Sequence, residues 1–367
     1  MKNTHFEKLE KIVHMFSKDH VLDIQPLGHG HINSTYRVII ENETQKITQL
    51  VLQKINNYVF TDVEGLMENI CGVTEYLKKH IKPGESPERN VMTVVKSING
   101  KAFEMFEGDY YRCYLFIDDT VTYQHIEKAE DFYNCGASFA DFQSRLADYP
   151  AHTLCETIAN FHNTESRYHD FEAAVARDLL GRKSQVKNEI DFCLSHEDIA
   201  LKIVTQLKNG TLPLRVTHND AKLNNILFDG PSGKPLCIID LDTIMPGAAC
   251  YDFADAIRFG ASSAAEDETD LDKVYLDLSL FEACTAGYLS HAKTFLTPQE
   301  VDSLATGAMV ITFENAMRFL ADYLDGDVYY TIHYPQHNLD RCRTQIKLVQ
   351  DMLVKMPLMQ EIVHKYA

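Results

Sequence analysis

Apolar positions recur at helical spacing where the chain begins: Phe6, Leu9, Ile12, Val13 and Phe16 predict a short amphipathic helix over residues 5–20. After Asp23 the period becomes that of strands. Leu27-Gly28-His29-Gly30-His31 predicts a turn, followed by a strand over 35–40, a polar connection at 41–43 and a further strand over 46–55 rich in β-branched and aliphatic residues. Leu66, Ile70, Val73, Thr74 and Leu77 share one face of a predicted helix over 62–80. Residues 91–106 read as a hairpin turning at Asn99-Gly100, and 110–117 as a strongly apolar strand.

From Asp131 onward the pattern is mainly helical, with helices predicted over 132–145, 170–180, 186–194 and 198–208. Short strands interrupt it at 214–216, 226–228 and 236–239, the last two joined by a turn at Gly230-Pro-Ser-Gly233. Helices resume over 251–259, 271–290, 298–324 and 339–367. No internal repeat or low-complexity segment interrupts this order. The pattern predicts an α+β chain of two lobes: a small, mostly antiparallel β-rich lobe over 1–112, a connection over 113–123, and a large, mainly helical lobe over 124–367. A chain of 367 residues exceeds what one small core accommodates, which agrees with two lobes.

The composition is that of a water-exposed enzyme, 45% hydrophobic and 24% charged. Thirty-five basic against 53 acidic residues leave a formal net charge of −18, which argues against nucleic acid or an anionic membrane as partner. No apolar run is long enough to span a membrane, and the opening residues Met1 to Phe6 carry no signal-peptide pattern. The nine cysteines contain no C-x-x-C pair, which fits thiols used as small hydrophobes in a reducing compartment. A cytoplasmic location is therefore expected, and the Asn-x-Ser/Thr sequons at Asn33, Asn42 and Asn209 read as chance matches.

Candidate chemistry concentrates in H-N-D-A-K-L-N-N, His218 to Asn225, and in I-D-L-D, Ile239 to Asp242. Asp220, in a loop after a short apolar strand, can accept a hydrogen bond from an acceptor hydroxyl and align its oxygen with a γ-phosphate. Lys222 would place a cation near the transferring phosphoryl group. Asn225 offers an amide oxygen, and Asp240, at a strand end, a carboxylate suited to Mg2+. Asp242 would point the same way if the strand continued. The alternative is a polar turn capped by Asx residues; the combination of Asp220, Lys222, Asn225 and a following I-I-D is too specific for that. ATP with Mg2+ is thus the expected cosubstrate pair, with catalysis mostly by positioning and charge neutralisation.

These segments resemble the aminoglycoside phosphotransferase and choline kinase group, and within it the N-acetylhexosamine 1-kinases. The resemblance also rests on G-H-G-H-I-N (28–33), L-Q-K-I-N (52–56), residues 215–227, 239–247, 252–260, 317–324 and 343–350, and so covers nearly the whole chain. It implies a protein-kinase-like fold and phosphorylation of the anomeric hydroxyl of N-acetylglucosamine or N-acetylgalactosamine by Mg-ATP. Carried over by position, it implies Asp220 as base, Asn225 and Asp240 as metal ligands, Gly28 and Gly30 over the phosphates, and a hinge over 114–118 in which Phe116 and Ile117 read adenine through their backbone. It implies His31, Arg318 and Tyr329 as sugar contacts, with Asp220 holding the reacting hydroxyl. A plain hairpin turn would equally explain the two glycines, and an i,i+4 surface pair with Glu314 would equally explain Arg318.

One part departs from the protein-kinase pattern. Gln53 and Lys54 are adjacent, so they face opposite sides of their strand, and only one can occupy the position of the usual lysine. The spacing V-L-Q favours Gln53, which leaves both the cation and its partner (Glu64 or Glu68) open. A second acceptor class, an aminoglycoside or choline-like amino alcohol, would require carboxylates gathered around Asp220. His333 and His337 have zinc-like spacing, but Pro335 between them argues for loop residues. The acidic run 266–270 reads as solvated charge at a helix start.

Overall fold

The computed structural model describes residues 4–28, 32–123, 126 and 128–367. The chain forms two compact units.

The first comprises residues 1–121, 153–158 and 227–244. It begins with helix α1 (Thr4–Val13) and strands β1 (His20–Pro26), β2 (Ser34–Glu41) and β3 (Ile47–Ile55). Helix α2 (Val63–Lys79) follows, started by the Asp62 carboxylate accepting from the Gly65 N–H at 2.9 Å, then the one-turn α3 (Pro87–Asn90). Strands β4 (Val94–Val95), β5 (Phe103–Phe106) and β6 (Asp109–Leu115) complete an antiparallel sheet in the order β1-β2-β3-β6-β4, with β5 also on β6. The expected hairpin over 91–106 is corrected here. Its turn forms, with the Ser97 N–H bonded to Lys101 and Gly100 at φ +79°, but β4 and β5 both pair with β6 and not with each other. Leu9, Ile12, Val13 and Phe16 pack with Val38, Ile40, Leu50 and Leu52 of the sheet as one buried core.

A second, three-stranded sheet in this unit joins β7 (Thr120–Val121) to β9 (Ile226–Asp229) and β10 (Pro235–Ile238). Residues 227–244, expected in the helical lobe, thus belong by their contacts to the β-rich unit, which extends past residue 112.

The second unit comprises residues 122–152, 159–226 and 245–367. It carries α4 (Ala129–Arg145), α5 (Thr164–Arg177), α6 (Lys187–Ser195), α7 (Glu197–Lys208), β8 (Arg215–Thr217) and β11 (Met245–Gly247). Four more helices follow: α8 (Cys250–Gly260), α9 (Leu278–Ala292), α10 (Pro298–Asp325) and α11 (His337–Tyr366). Helix α10 is bounded by a capping box between Thr297 and Glu300, Pro298 in its first turn, and Gly326 at φ +103° beyond its end. The helix expected over 271–290 begins only at Leu278, because Asp277 caps it and Leu276 is drawn into a β-bridge with Ser262. No helix among the described residues is long and apolar enough to cross a membrane.

Candidate active site

In the second unit, strand β8 pairs with β11 and delivers the chain into His218 to Asn225. The backbone N–H groups of His218 and Asn219 donate to the two carboxylate oxygens of Asp252, at 3.0 and 2.7 Å. Asp252, in the first turn of α8, is fully buried. It also accepts from Gln143 Nε2 at 2.6 Å, and Gln143 in turn accepts from the Tyr288 hydroxyl at 2.5 Å. The His218 ring is walled by Phe139 and Phe142 of α4, with centroids at 5.3 and 6.2 Å, and its Nδ1 accepts from the Asp220 N–H at 3.3 Å. Asn219 takes φ +63°, a conformation that Asn tolerates better than most residues and that aims the next side chain out of the buried turn.

Asp220, Lys222 and Asn225 converge. The Lys222 ammonium pairs with Asp220 Oδ1, while Asn225 Nδ2 donates to Asp220 Oδ2 at 2.9 Å and to its carbonyl at 2.8 Å. The two charged side chains each keep 28% of their exposure, enough to be reached. Burial pushes the Asp220 carboxyl up, but the Lys222 charge and the hydrogen bonds from Lys222 and Asn225 outweigh it and hold the group below the usual carboxylate range. Lys222 is raised in turn: its burial is outweighed by Asp220 and, more distantly, Asp255. Asp255 is bonded to the buried Arg258, which also binds Glu266 at 2.7 Å. The acidic run 266–270 is therefore not simply solvated: Glu266 neutralises Arg258, and Asp267 pairs with His337 at 3.2 Å. His337 opens α11 and its ring lies against His333.

In the first unit, Asp240 follows β10 at φ +61°, ψ +58°, again left-handed, and leads into a tight turn over 241–243. The strand does not continue, so Asp242 is not a second outward carboxylate. It is buried, accepts from Asn33 Nδ2 at 2.6 Å and pairs with Arg112 Nη2 at 2.6 Å. Gln53 stands opposite Arg112 in the β3–β6 register and accepts from Arg112 Nε at 3.0 Å. Lys54 lies on the other face, bound to Asp109 at 2.8 Å and 40% exposed. Among the described residues neither Glu64 nor Glu68 forms an ion pair, and both are exposed. Gln53 therefore shares the face of the buried Arg112, and Lys54 stands on the other, more exposed face.

The hinge residues are partly committed. The Phe116 N–H donates to Gln49 at 3.0 Å, and the Ile117 carbonyl accepts from the Thr120 hydroxyl at 3.0 Å. Gly28 has φ +72° with open space where a Cβ would stand. Gly30 and His31 lie outside the described residues.

Arg318 and Tyr329 meet in the second unit, at a cavity of about 290 Å³. The Arg318 guanidinium lies over the rings of Phe161, Tyr329 and Tyr330 at 5.6, 5.7 and 5.6 Å. Its Nη1 is 3.7 Å from Glu314, but Glu314 is fully buried and Arg318 14% exposed, so this is no surface pair. Every carboxylate at the cavity has a partner. Asp170 pairs with Arg167, Asp325 with Arg177, and Asp322 accepts the N–H groups of Val328, Tyr329 and Tyr330. The Tyr330 hydroxyl, pushed up to about 12 by burial, is buried without a hydrogen-bond partner among the described residues, as is Glu314 Oε2.

The Phosphotransferase enzyme family matches residues 23–282, well over half of the chain. The chain belongs to this phosphotransferase family. Among solved structures, a microcompartment-associated aminopropanol kinase is similar at 14% identity, with 98% of this chain and 99% of that chain covered and a TM-score of 0.61. Choline kinase from Cryptosporidium parvum Iowa II gives 13% identity, 99% of each chain and 0.59. An amicoumacin kinase in complex with AMP-PNP, Ca2+ and Ami gives 14%, 95% and 93%, and 0.58. At such identities these likenesses show the kinase-like fold. The sequence reading missed Asp252, Gln143 and Tyr288, which hold the 218–225 loop in the second unit, and Arg112, which pairs with Asp242 in the first. A signal existed for Arg112: it is the one charged residue within the apolar run 110–117.

Proposed function

We propose that this phosphotransferase uses ATP to phosphorylate the anomeric hydroxyl of an N-acetylhexosamine, GlcNAc or GalNAc, giving the sugar 1-phosphate. The observation that carries this reading is the cavity at Arg318. Its carboxylates all have partners, its walls hold the rings of Tyr329 and Tyr330 for the apolar face of a sugar, and the buried Tyr330 hydroxyl there has no hydrogen-bond partner among the described residues. A buried hydroxyl left unpaired is costly, so such a site selects a ligand that supplies the missing hydrogen bond. Tyr329 and Arg318 would contact the ring substituents.

Asp220 accepts the hydrogen bond of the reacting hydroxyl. The hydroxyl oxygen attacks the γ-phosphorus, the bond to the ADP oxygen breaks, and the proton passes to Asp220. Because Asp220 is held ionised, its main contribution is alignment, as a loose phosphoryl-transfer transition state requires. Lys222 keeps Asp220 charged and adds a cation on the side of the transferring group. The Phe116 carbonyl and Ile117 N–H are the hinge groups offered to adenine, and Gly28 and Gly30 the backbone over the phosphates.

Asn225 and Asp240 would hold Mg2+. The donor chemistry fits: Asn225 spends its Nδ2 on Asp220, which leaves its Oδ1 for a cation, and Asp240 adds a carboxylate. Among the described residues no cluster of three or more His, Cys, Asp or Glu forms a metal cage. Mg2+ binds through one or two protein oxygens plus substrate phosphates. When bound, Mg2+ neutralises the charge of the phosphates.

A second reading keeps the chemistry and changes the acceptor to an amino alcohol. The net charge of −18 and the amino-alcohol substrates named for similar structures favour it. Against it stands Arg318, a buried cation where a cationic acceptor would be repelled. The test is ADP release with Mg-ATP and a panel of GlcNAc, GalNAc, choline, ethanolamine and an aminoglycoside, followed by NMR assignment of the phosphorylated oxygen. Turnover with an amine and none with the hexosamines would sink the sugar reading. In the same assay Asp220→Asn should lower turnover by about 10²–10⁴-fold with an unchanged melting temperature. Near-normal activity in that variant would remove Asp220 from its role.

A further inference from the structure

Arg112 is 1% exposed, yet it carries a full charge at the centre of the first unit's sheet. A buried guanidinium persists only where its donors and its charge are answered. Here Nε is answered by Gln53, Nη1 lies 3.9 Å from the Met67 sulfur, and the charge by Asp242 at 2.6 Å. Burial disfavours the charged form, but Asp242 and, less strongly, Asp240 more than compensate. Both acids stand on the turn that follows β10, where Asp240 occupies the left-handed region. The turn is fastened elsewhere too: Asn33 holds the Asp242 carboxylate, Thr157 donates to the Asp242 carbonyl at 2.8 Å, and Asn69 donates to the Ile244 carbonyl at 3.0 Å. Among these anchors Arg112 is the one that brings charge.

The register explains why position 53 is not a second cation. Gln53 and Arg112 are direct cross-strand partners on one face, where two like charges repel and a side-chain amide oxygen orients the guanidinium. Helix α2 sends Met67 inward, and its acidic residues Glu64 and Glu68 remain outside.

We propose that Arg112 is a positioning residue for the nucleotide-bound metal: through Asp242 it locks the 240–243 turn and so fixes the carboxylate of Asp240. The unit's organising ion pair therefore runs from strand β6 to this turn and involves neither β3 nor α2. Asp240 is the group that meets the cation; Arg112 acts through its neighbour. The inference rests on the proposed function for the role of Asp240.

The experiment is calorimetric binding of ADP with and without Mg2+ to the wild type, Arg112→Lys, Asp242→Asn and Gln53→Met, with a thermal melt of each. Arg112→Lys keeps the charge but loses the fork, and Asp242→Asn keeps the shape but loses the charge. Both should weaken Mg-ADP binding by about tenfold or more, as loss of a residue supporting a metal ligand does, and leave metal-free ADP binding within about twofold. Gln53→Met should fall between them and the wild type. Unchanged metal dependence in the folded variants overturns the inference, and so does an equal loss of metal-bound and metal-free affinity alongside a lowered melting temperature. Should Arg112→Lys fail to fold, Asp242→Asn decides alone. A wild type whose ADP affinity ignores Mg2+ refutes the proposed metal site itself and is distinguishable from the variant outcomes.

Discussion

Asp220 has its partners within five residues of itself: Lys222 on one carboxylate oxygen and Asn225 on the other. Such a cluster is legible in a sequence because no long-range packing is needed to assemble it. Its titration follows from the same contacts. The carboxyl is held low because the lysine outweighs burial; with the lysine gone, burial is left to push it up. We therefore expect Lys222→Met to move the acid limb of the kcat/KM profile to higher pH, besides lowering the plateau. An unmoved limb would show that Asp220 does not titrate in that limb. The linkage has a definite sign. A carboxyl depressed by folding contributes stability above its unfolded pKa and loses it as pH falls through the folded one. Lys222, raised by folding, contributes below its unfolded pKa and loses this as pH rises through the folded value. The pair thus favours the folded state across the neutral range. Arg112 was legible only as a charge within an apolar run; its partner Asp242 lies far along the chain, on the turn after β10, and only the folding of that turn against β6 brings them together.

Helices α4 and α9 show how elements hold the loop in place. They approach so closely that a Cβ on Gly287 would stand 2.0 Å from the Tyr133 carbonyl oxygen, and one on Gly136 2.4 Å from that of Cys284. The same helices carry the polar chain to the 218–225 loop, Gln143 on α4 and Tyr288 on α9. Replacing a helical glycine with alanine gains about 1 kcal/mol of helix propensity. Against this, a methyl forced into backbone costs about 1–3 kcal/mol or more, because neither helix can yield as a flexible side chain does. Gly287→Ala should thus lower the melting temperature by several degrees and reduce turnover through displaced Gln143; an unchanged melt would refute the close packing. Element ends were legible where caps mark them, as at Thr297-Pro298 and Gly326 on α10. They were not legible where partner choice decides. The short strands β4 and β5 flank a good turn, and nothing local reveals that both prefer β6.

For the whole molecule, the sequence conveyed a small β-rich part followed by a large helical part and, through its resemblance, the kinase-like fold. It did not convey that residues 153–158 and 227–244 return to the first unit, since apolar runs look alike in either setting. Charge is a property of the chain at this scale. With −18 overall, acidic residues repel one another beyond what the ion pairs neutralise. Added salt shortens the screening length from about 30 Å at 0.01 M to about 8 Å at 0.15 M, which weakens repulsion and attraction together. The exposed pairs, such as Lys187 with Asp191 and Lys208 with Glu165, are solvent-screened and contribute little. Buried pairs such as Arg112–Asp242 and Arg258–Asp255 are little screened. Salt therefore removes more repulsion than attraction. The melting temperature should rise, by about 1–3 °C, between roughly 10 and 150 mM sodium chloride without metal or nucleotide. A fall over that range would mean that exposed ion pairs stabilise the fold more than the excess of acid strains it.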